Sequence, residues 1–141
     1  MPVYQAPLEN LKFVLHDVLG TQDIASLPGH EDITPDLIDS ILEEAAKVCE
    51  DVLFPLNQSG DREGCTWDNG KVRTPAGFKE AYDAFSQAGW CGAVADPKYG
   101  GMGLPATLGM AINEMVCSAN MSFGMYPGLS EGAYNALYLH G

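Results

Sequence analysis

Thr34-Pro35-Asp36-Leu37-Ile38-Asp39-Ser40-Ile41-Leu42-Glu43-Glu44-Ala45-Ala46-Lys47-Val48-Cys49-Glu50-Asp51-Val52-Leu53-Phe54-Pro55-Leu56 decides the fold class of this chain. Threonine is a helix-capping residue type. Pro35 loses nothing at the first helical position, where no hydrogen bond is due, and Asp36 complements the positive helix end. At about 100° per residue, Leu37, Ile38, Ile41, Leu42, Ala45, Val48, Cys49, Val52, Leu53 and Leu56 fall within an arc of about 160°. Asp39, Glu43, Glu44, Lys47, Glu50 and Asp51 fill the opposite side. Burial of each large apolar side chain is worth roughly 1.5–3 kcal/mol, against roughly 0–1 kcal/mol for an exposed ion pair, so the apolar stripe governs. The helix lies against a core, and Pro55 is expected to kink its last turn.

The same reading extends in both directions. Tyr4-Gln5-Ala6-Pro7 is an extended lead-in to a short first helix, whose Leu8, Leu11, Leu15, Val18 and Leu19 recur at helical spacing until Gly20. Gly20 to Glu31 reads mostly as loop, with a turn of helix around Asp23 to Leu27. Asn57 to Arg73 reads as a turn-rich excursion with a small hairpin at Asn69-Gly70. Thr74-Pro75 opens a third helix with Phe78, Ala81, Tyr82, Phe85 and Ala88 on one face and Gly89 past its end. Pro105 starts a fourth, buried through Leu108, Ala111, Ile112, Met115, Val116 and Ala119. Ser122 to Gly128 is then expected to be a loop, and Ser130 to cap a fifth helix carrying Ala133, Leu137 and Tyr138. The result is an all-α domain over residues 1–141, about five helices with no substantial sheet.

Composition narrows the functions. Nineteen acids against seven Lys and Arg give a net charge of -12, which repels phosphate backbones and argues against nucleic acid as a partner. No apolar run approaches the eighteen or so residues of a membrane span, so a cytoplasmic chain is expected. Cys49, Cys65, Cys91 and Cys117 form no C-x-x-C and have no histidine at ligand spacing. They are expected to be free, mostly buried thiols rather than metal ligands or disulfides. His16, His30 and His140 are isolated and read as solvated or hydrogen-bonded structure. The carboxylates of the second helix lack the Glu-x-x-His pairs of a di-iron bundle, and no nucleophile elbow occurs.

Pro97-Lys98-Tyr99-Gly100-Gly101-Met102-Gly103-Leu104-Pro105 carries more information. Gly101-Met102-Gly103-Leu104-Pro105-Ala106 satisfies a dinucleotide fingerprint as a pattern, but lacks the buried strand before it and the acidic residue about twenty positions on. A plain interhelix turn is a second reading. The third is a resemblance: Tyr99, Gly100, Gly101 and Gly103 match the Tyr-Gly-Gly-x-Gly loop of the acyl-CoA dehydrogenases. The chain around it agrees. Tyr4-Gln5-Ala6-Pro7 with Phe13-Val14-Leu15-His16-Asp17-Val18-Leu19 resembles the opening of the 3-methylmercaptopropionyl-CoA dehydrogenase-like branch, which acts on short thioether acyl-CoA substrates. Gly77-Phe78-Lys79-Glu80-Ala81-Tyr82, Gly89-Trp90 and Tyr138-Leu139-His140-Gly141 resemble family segments as well.

The resemblance implies the N-terminal helical domain of a larger FAD enzyme that oxidises the Cα–Cβ bond of an acyl-CoA to the 2-enoyl-CoA. It also implies an electron-transfer acceptor and a homo-oligomer. The family's flavin-contact motif and its catalytic glutamate belong to a middle β-barrel and a C-terminal helical bundle, so no residue here is assigned as catalytic base, flavin ligand or metal ligand. The fragment alone is expected to be inactive and not to retain FAD. What the domain can supply is one wall of the acyl pocket, with Met125, Tyr126 and Leu129 as candidates from an apolar, aromatic, Gly-containing segment. The competing readings are that these residues only close a helix pair, and that the chain is a stand-alone helical interaction module.

Overall fold

Thr34 caps its helix as its side chain allows: in the computed structural model, which describes residues 3–141, its Oγ1 accepts from the Leu37 N–H at 3.2 Å. Helix α2 (Pro35–Val48) then buries Ile38, Leu42, Ala45 and Ala46. It does not end near Leu56. A π-turn over Cys49–Leu53, in which the Phe54 N–H reaches back five residues to the Cys49 carbonyl, carries it into α3 (Phe54–Glu63). The extra residue in that turn takes up the register change at Pro55, whose ring cannot continue an ordinary α-helix without loss of a bond. The expected turn-rich stretch is therefore helical up to Glu63, and its glycine has a packing reason. A Cβ on the buried Gly60 would overlap the ring of Phe78.

The hairpin is where Asn69-Gly70 puts it. Strands β1 (Thr66–Asp68) and β2 (Lys71–Arg73) pair antiparallel, with φ of 46° at Asn69 and 81° at Gly70. Helix α4 (Phe78–Gln87) begins three residues after Pro75 and buries Phe78, Ala81 and Phe85. Helix α5 (Ala106–His140) starts just after Pro105 and buries all six expected residues of its first half, Leu108, Ala111, Ile112, Met115, Val116 and Ala119. That face and the α2–α3 stripe form the core.

The expected loop at Ser122 to Gly128 is instead helix, and Ser130 is no cap. The interruption lies at Asn120, with φ -158° and ψ 90°, after which the helix resumes through Pro127 to His140. A proline there costs about 3 kcal/mol. Phe123 offsets it: wholly buried, worth roughly 1.5–3 kcal/mol on area alone, it packs against four other rings, each pair adding about 0.5–1.5 kcal/mol. Beyond it, Leu137 and Tyr138 are exposed rather than buried.

The N-terminal segment is fastened by polar contacts. The Ala6 N–H donates to Glu50 Oε1 at 2.8 Å, and the Tyr4 hydroxyl donates to the Met115 carbonyl at 3.3 Å. Helix α1 (Leu8–Phe13) widens into a π-turn at Val14–Val18, closed by Leu19 N–H to the Val14 carbonyl. That change of register turns Val18 and Leu19 to solvent, contrary to the regular spacing, and keeps Leu11 and Leu15 inside. Of the thiols, all unpaired, only Cys49 is buried, and Cys65 is exposed because it lies between α3 and the hairpin. Burial, followed by the nearby Glu50 and Cys117, pushes the Cys49 pKa up to about 12. It packs as a small apolar side chain.

Asp39 joins α1 to α2, accepting from His16 Nε2 at 2.7 Å and pairing with Lys12 Nζ at 3.1 Å. Burial opposes its ionisation, but the hydrogen bonds from His16 and Lys12 outweigh it and hold the carboxyl below its ordinary value of 3.8. A depressed carboxyl stabilises the fold fully above its ordinary pKa and loses that stabilisation as pH falls through the lowered one. Asp39→Asn should therefore lower stability at neutral pH and abolish part of the acid-dependent loss below about pH 4. Urea melts of both proteins at pH 7 and pH 3 test it; parallel pH profiles would remove Asp39 from the account.

Candidate functional site

The glycine segment folds back on the residues before it. The N–H groups of Met102, Gly103 and Leu104 donate to the carbonyls of Gly92, Ala95 and Ala93 at 3.0, 3.0 and 2.9 Å. Gly100 and Gly103 have φ of 87° and 67°, which only glycine holds cheaply. Gly101 serves differently: its φ is unexceptional, but a Cβ there would overlap the Ala95 carbonyl. Asp96 organises the entry, its Oδ1 accepting from the Lys98 N–H at 2.7 Å and its own N–H donating to the Tyr134 hydroxyl at 2.9 Å. Tyr99 stands edge-on to Tyr134 and Tyr138, which stack on each other at 5.5 Å. The loop is thus clamped to the far end of α5.

A second feature lies elsewhere. An open groove of about 610 Å³ runs between the exit of β2 (Val72, Arg73, Thr74), α4 (Phe78, Lys79, Tyr82) and the second half of α5 (Tyr126, Leu129, Ser130). Its walls are mostly apolar and aromatic, with two cationic side chains at the rim. Lys79 is paired with Asp83, whereas Arg73 has no ion-pair partner among the described residues. Burial, then the adjacent Cys65, raises the Tyr126 pKa, so its hydroxyl stays protonated. No carboxylate lines the groove. It can bind and orient an apolar chain, but it holds no group suited to abstract a proton.

Tyr126 and Leu129 thus line one open groove, on a helix rather than a loop, and are themselves exposed there, Leu129 at 77%; Met125 is exposed too and does not line it. Tyr99, Gly100, Gly101 and Gly103 do not line it either. Phe78, Tyr82 and Val72 were legible as helix or strand residues but not as groove walls, since only tertiary packing brings them to α5. Among the described residues, no three His, Cys, Asp or Glu side chains converge as metal ligands would. No described helix is long and apolar enough to cross a membrane.

Comparison with known proteins agrees with this architecture. The family described as acyl-CoA dehydrogenase, N-terminal domain, matches residues 38–141. The chain is 38% identical over 138 residues to 3-methylmercaptopropionyl-CoA dehydrogenase of Ruegeria pomeroyi, covering 98% of this chain and 24% of that protein. It is 28% identical over 130 residues to the broad-specificity linear acyl-CoA dehydrogenase FadE5 of Mycobacterium tuberculosis, covering 91% of this chain and 21% of that protein. The chain thus spans about a quarter of the length of these relatives or less.

The loop geometry separates its glycines by mechanism. Gly101→Ala must displace backbone and should cost about 2–4 kcal/mol, whereas Gly100→Ala meets open space and should cost only the left-handed strain, about 1–2 kcal/mol. Chemical denaturation of the two variants checks the order. Equal, small losses would mean that the loop is not clamped as described.

Proposed function

We propose, from the premise that this chain belongs to the acyl-CoA dehydrogenase family as its N-terminal domain, that it supplies one apolar wall of the acyl pocket in an FAD-dependent enzyme converting an acyl-CoA to its 2-enoyl-CoA. The observation that carries the reading is the groove between β2, α4 and the second half of α5. Its aromatic and aliphatic lining suits the hydrocarbon end of a thioester. The unpaired Arg73 at its rim suits the anionic remainder of the substrate in a chain that is otherwise strongly acidic. No glycine and no carboxylate line the groove. The flavin and the proton-abstracting base are assigned in this proposal to other parts of the enzyme, and the chain by itself is proposed to be inactive.

Substrate length is part of the same proposal. One relative is named for a thioether acyl-CoA and the other for broad specificity toward linear acyl-CoAs. The bulk of Tyr126 and Leu129, set against Phe78 and Tyr82, favours the shorter class here. An electron-transfer acceptor, assembly into a homo-oligomer and a cytoplasmic location belong to the proposal as the family's usual setting.

In the flavin-loaded enzyme carrying this domain, Tyr126→Ala and Leu129→Ala should shift specificity toward longer acyl-CoAs. Each methylene accommodated is worth about 0.8 kcal/mol, and one methylene typically alters discrimination by roughly 10–200-fold. The test is kcat/KM across a series of chain lengths. Wild-type ratios in both variants would mean that these residues only close the helix packing.

A further inference from the structure

We propose that Asn120 is the positioning residue for this groove: its single side-chain amide fixes the bend in α5, and with it the placement of Tyr126 and Leu129. The link to substrate length rests on the acyl-pocket reading above, whereas the positioning of the wall does not. Asn120 is wholly buried, and its backbone is extended between two helical segments. Its Nδ2 donates to the Leu53 carbonyl at 3.0 Å, and its Oδ1 accepts from the Phe123 N–H at 3.0 Å. The second bond is an N-cap. Phe123 occupies the third position of the new helix, where the departure of Asn120 from helical geometry leaves the N–H without a carbonyl one turn behind. The first bond is a tether. Leu53 closes the π-turn Cys49–Leu53, so the start of the second half of α5 is held to the turn that leads into α3.

Both bonds together require one donor and one acceptor on a short stem. An ionised aspartate lacks the donor, and alanine lacks both. Three residues on, the Phe123 ring lies 6.5, 6.4 and 6.4 Å from the rings of Phe78, Tyr82 and Tyr126, all of which line the groove. The bend has little room to relax: a Cβ on Gly124 would come to 3.1 Å from Cys117 Sγ, across the inside of the turn. The amide therefore sets the direction of the helix, the helix sets Phe123, and Phe123 sets the groove.

The test compares wild type, Asn120→Ala and Asn120→Asp by NMR on the 141-residue chain. Asn120→Ala should lose exchange protection at the Phe123 amide and lose the groove cross-peaks between the Tyr126 and Phe78 rings and between the Phe123 and Tyr82 rings, while those within Ala106–Ala119 persist. Asn120→Asp gives a sharper reading. Ionised, it can cap Phe123 but cannot donate to Leu53; protonated, a form that burial favours, it can do both. Its groove cross-peaks should therefore disappear as pH rises through the titration of the new carboxyl and return on acidification, with no such change in wild type. If Asn120→Ala fails to fold, the aspartate variant still decides. Groove cross-peaks that are independent of pH in Asn120→Asp, or intact in a folded Asn120→Ala, would overturn the proposal. In the flavin-loaded enzyme the acyl-length preference of Asn120→Asp should change across the same titration, by about 10-fold or more per methylene. An enzyme that oxidises no acyl-CoA would sink the functional reading alone, because the NMR result still judges the hinge.

Discussion

Drawn straight, the 35 residues of α5 would extend about 50 Å, whereas a domain of this length has a radius of gyration of only about 14 Å. A straight α5 would bury its first half against α2 and α3 and carry Phe123 away from the core with the rest. The break at Asn120 brings Phe123 in, while the turns beyond it stay largely exposed. It redirects the second half so that Phe123 enters the space framed by Phe78, Tyr82 and Phe85. The groove is a by-product of this turn, because the ring cluster that holds the redirected helix also furnishes three of the groove's lining residues.

Two irregularities of different kinds make the packing possible. The π-turn at Cys49–Leu53 changes the register of the α2–α3 span ahead of Pro55, and its last carbonyl, that of Leu53, receives the Asn120 amide. A defect in one helix is thus joined to a break in another. The glycine loop acts at the opposite end of α5, where Tyr99, Tyr134, Tyr138 and Asp96 hold the exposed C-terminal turns. Between these two anchors lie Tyr126 and Leu129. The acidic excess plays little part: its charged groups sit largely outside the core, and the ion pairs seen, such as Lys47–Glu44 and Lys79–Asp83, are solvent-exposed.

Much of this was readable from residue order, and the failures have physical causes. The Thr34 cap, the α2 stripe, the Asn69-Gly70 turn and the first face of α5 all rest on local rules that tertiary structure left in force. The segment 122–129 did not follow them. Gly124, Pro127 and Gly128 are turn residues by propensity, but Phe123 and its four ring partners outweigh them, and those partners lie on α4 or one turn away. The helix through Asn57–Glu63 was hidden in the same way, since Gly60 marks close contact with Phe78 rather than a turn. At the site, Tyr126 and Leu129 were legible as bulky residues in an apolar segment. Val72, Phe78 and Tyr82 were not, because a groove is a convergence of distant segments. Asn120 was missed as well: asparagine is a helix-capping residue type, but the Gly and Pro that follow it read as a loop rather than as a new helix.

The central claim is that the groove beside Tyr126 and Leu129 receives the acyl end of a thioester. Photolabelling tests it most directly, with an acyl-CoA bearing a diazirine at the terminal carbon, bound to the flavin-loaded enzyme and mapped by peptide mass spectrometry. The account predicts adducts on Tyr82, Tyr126 or Leu129 that excess unlabelled acyl-CoA competes away. Competed adducts confined to segments outside this domain, with none between Val72 and Ser130, would contradict it.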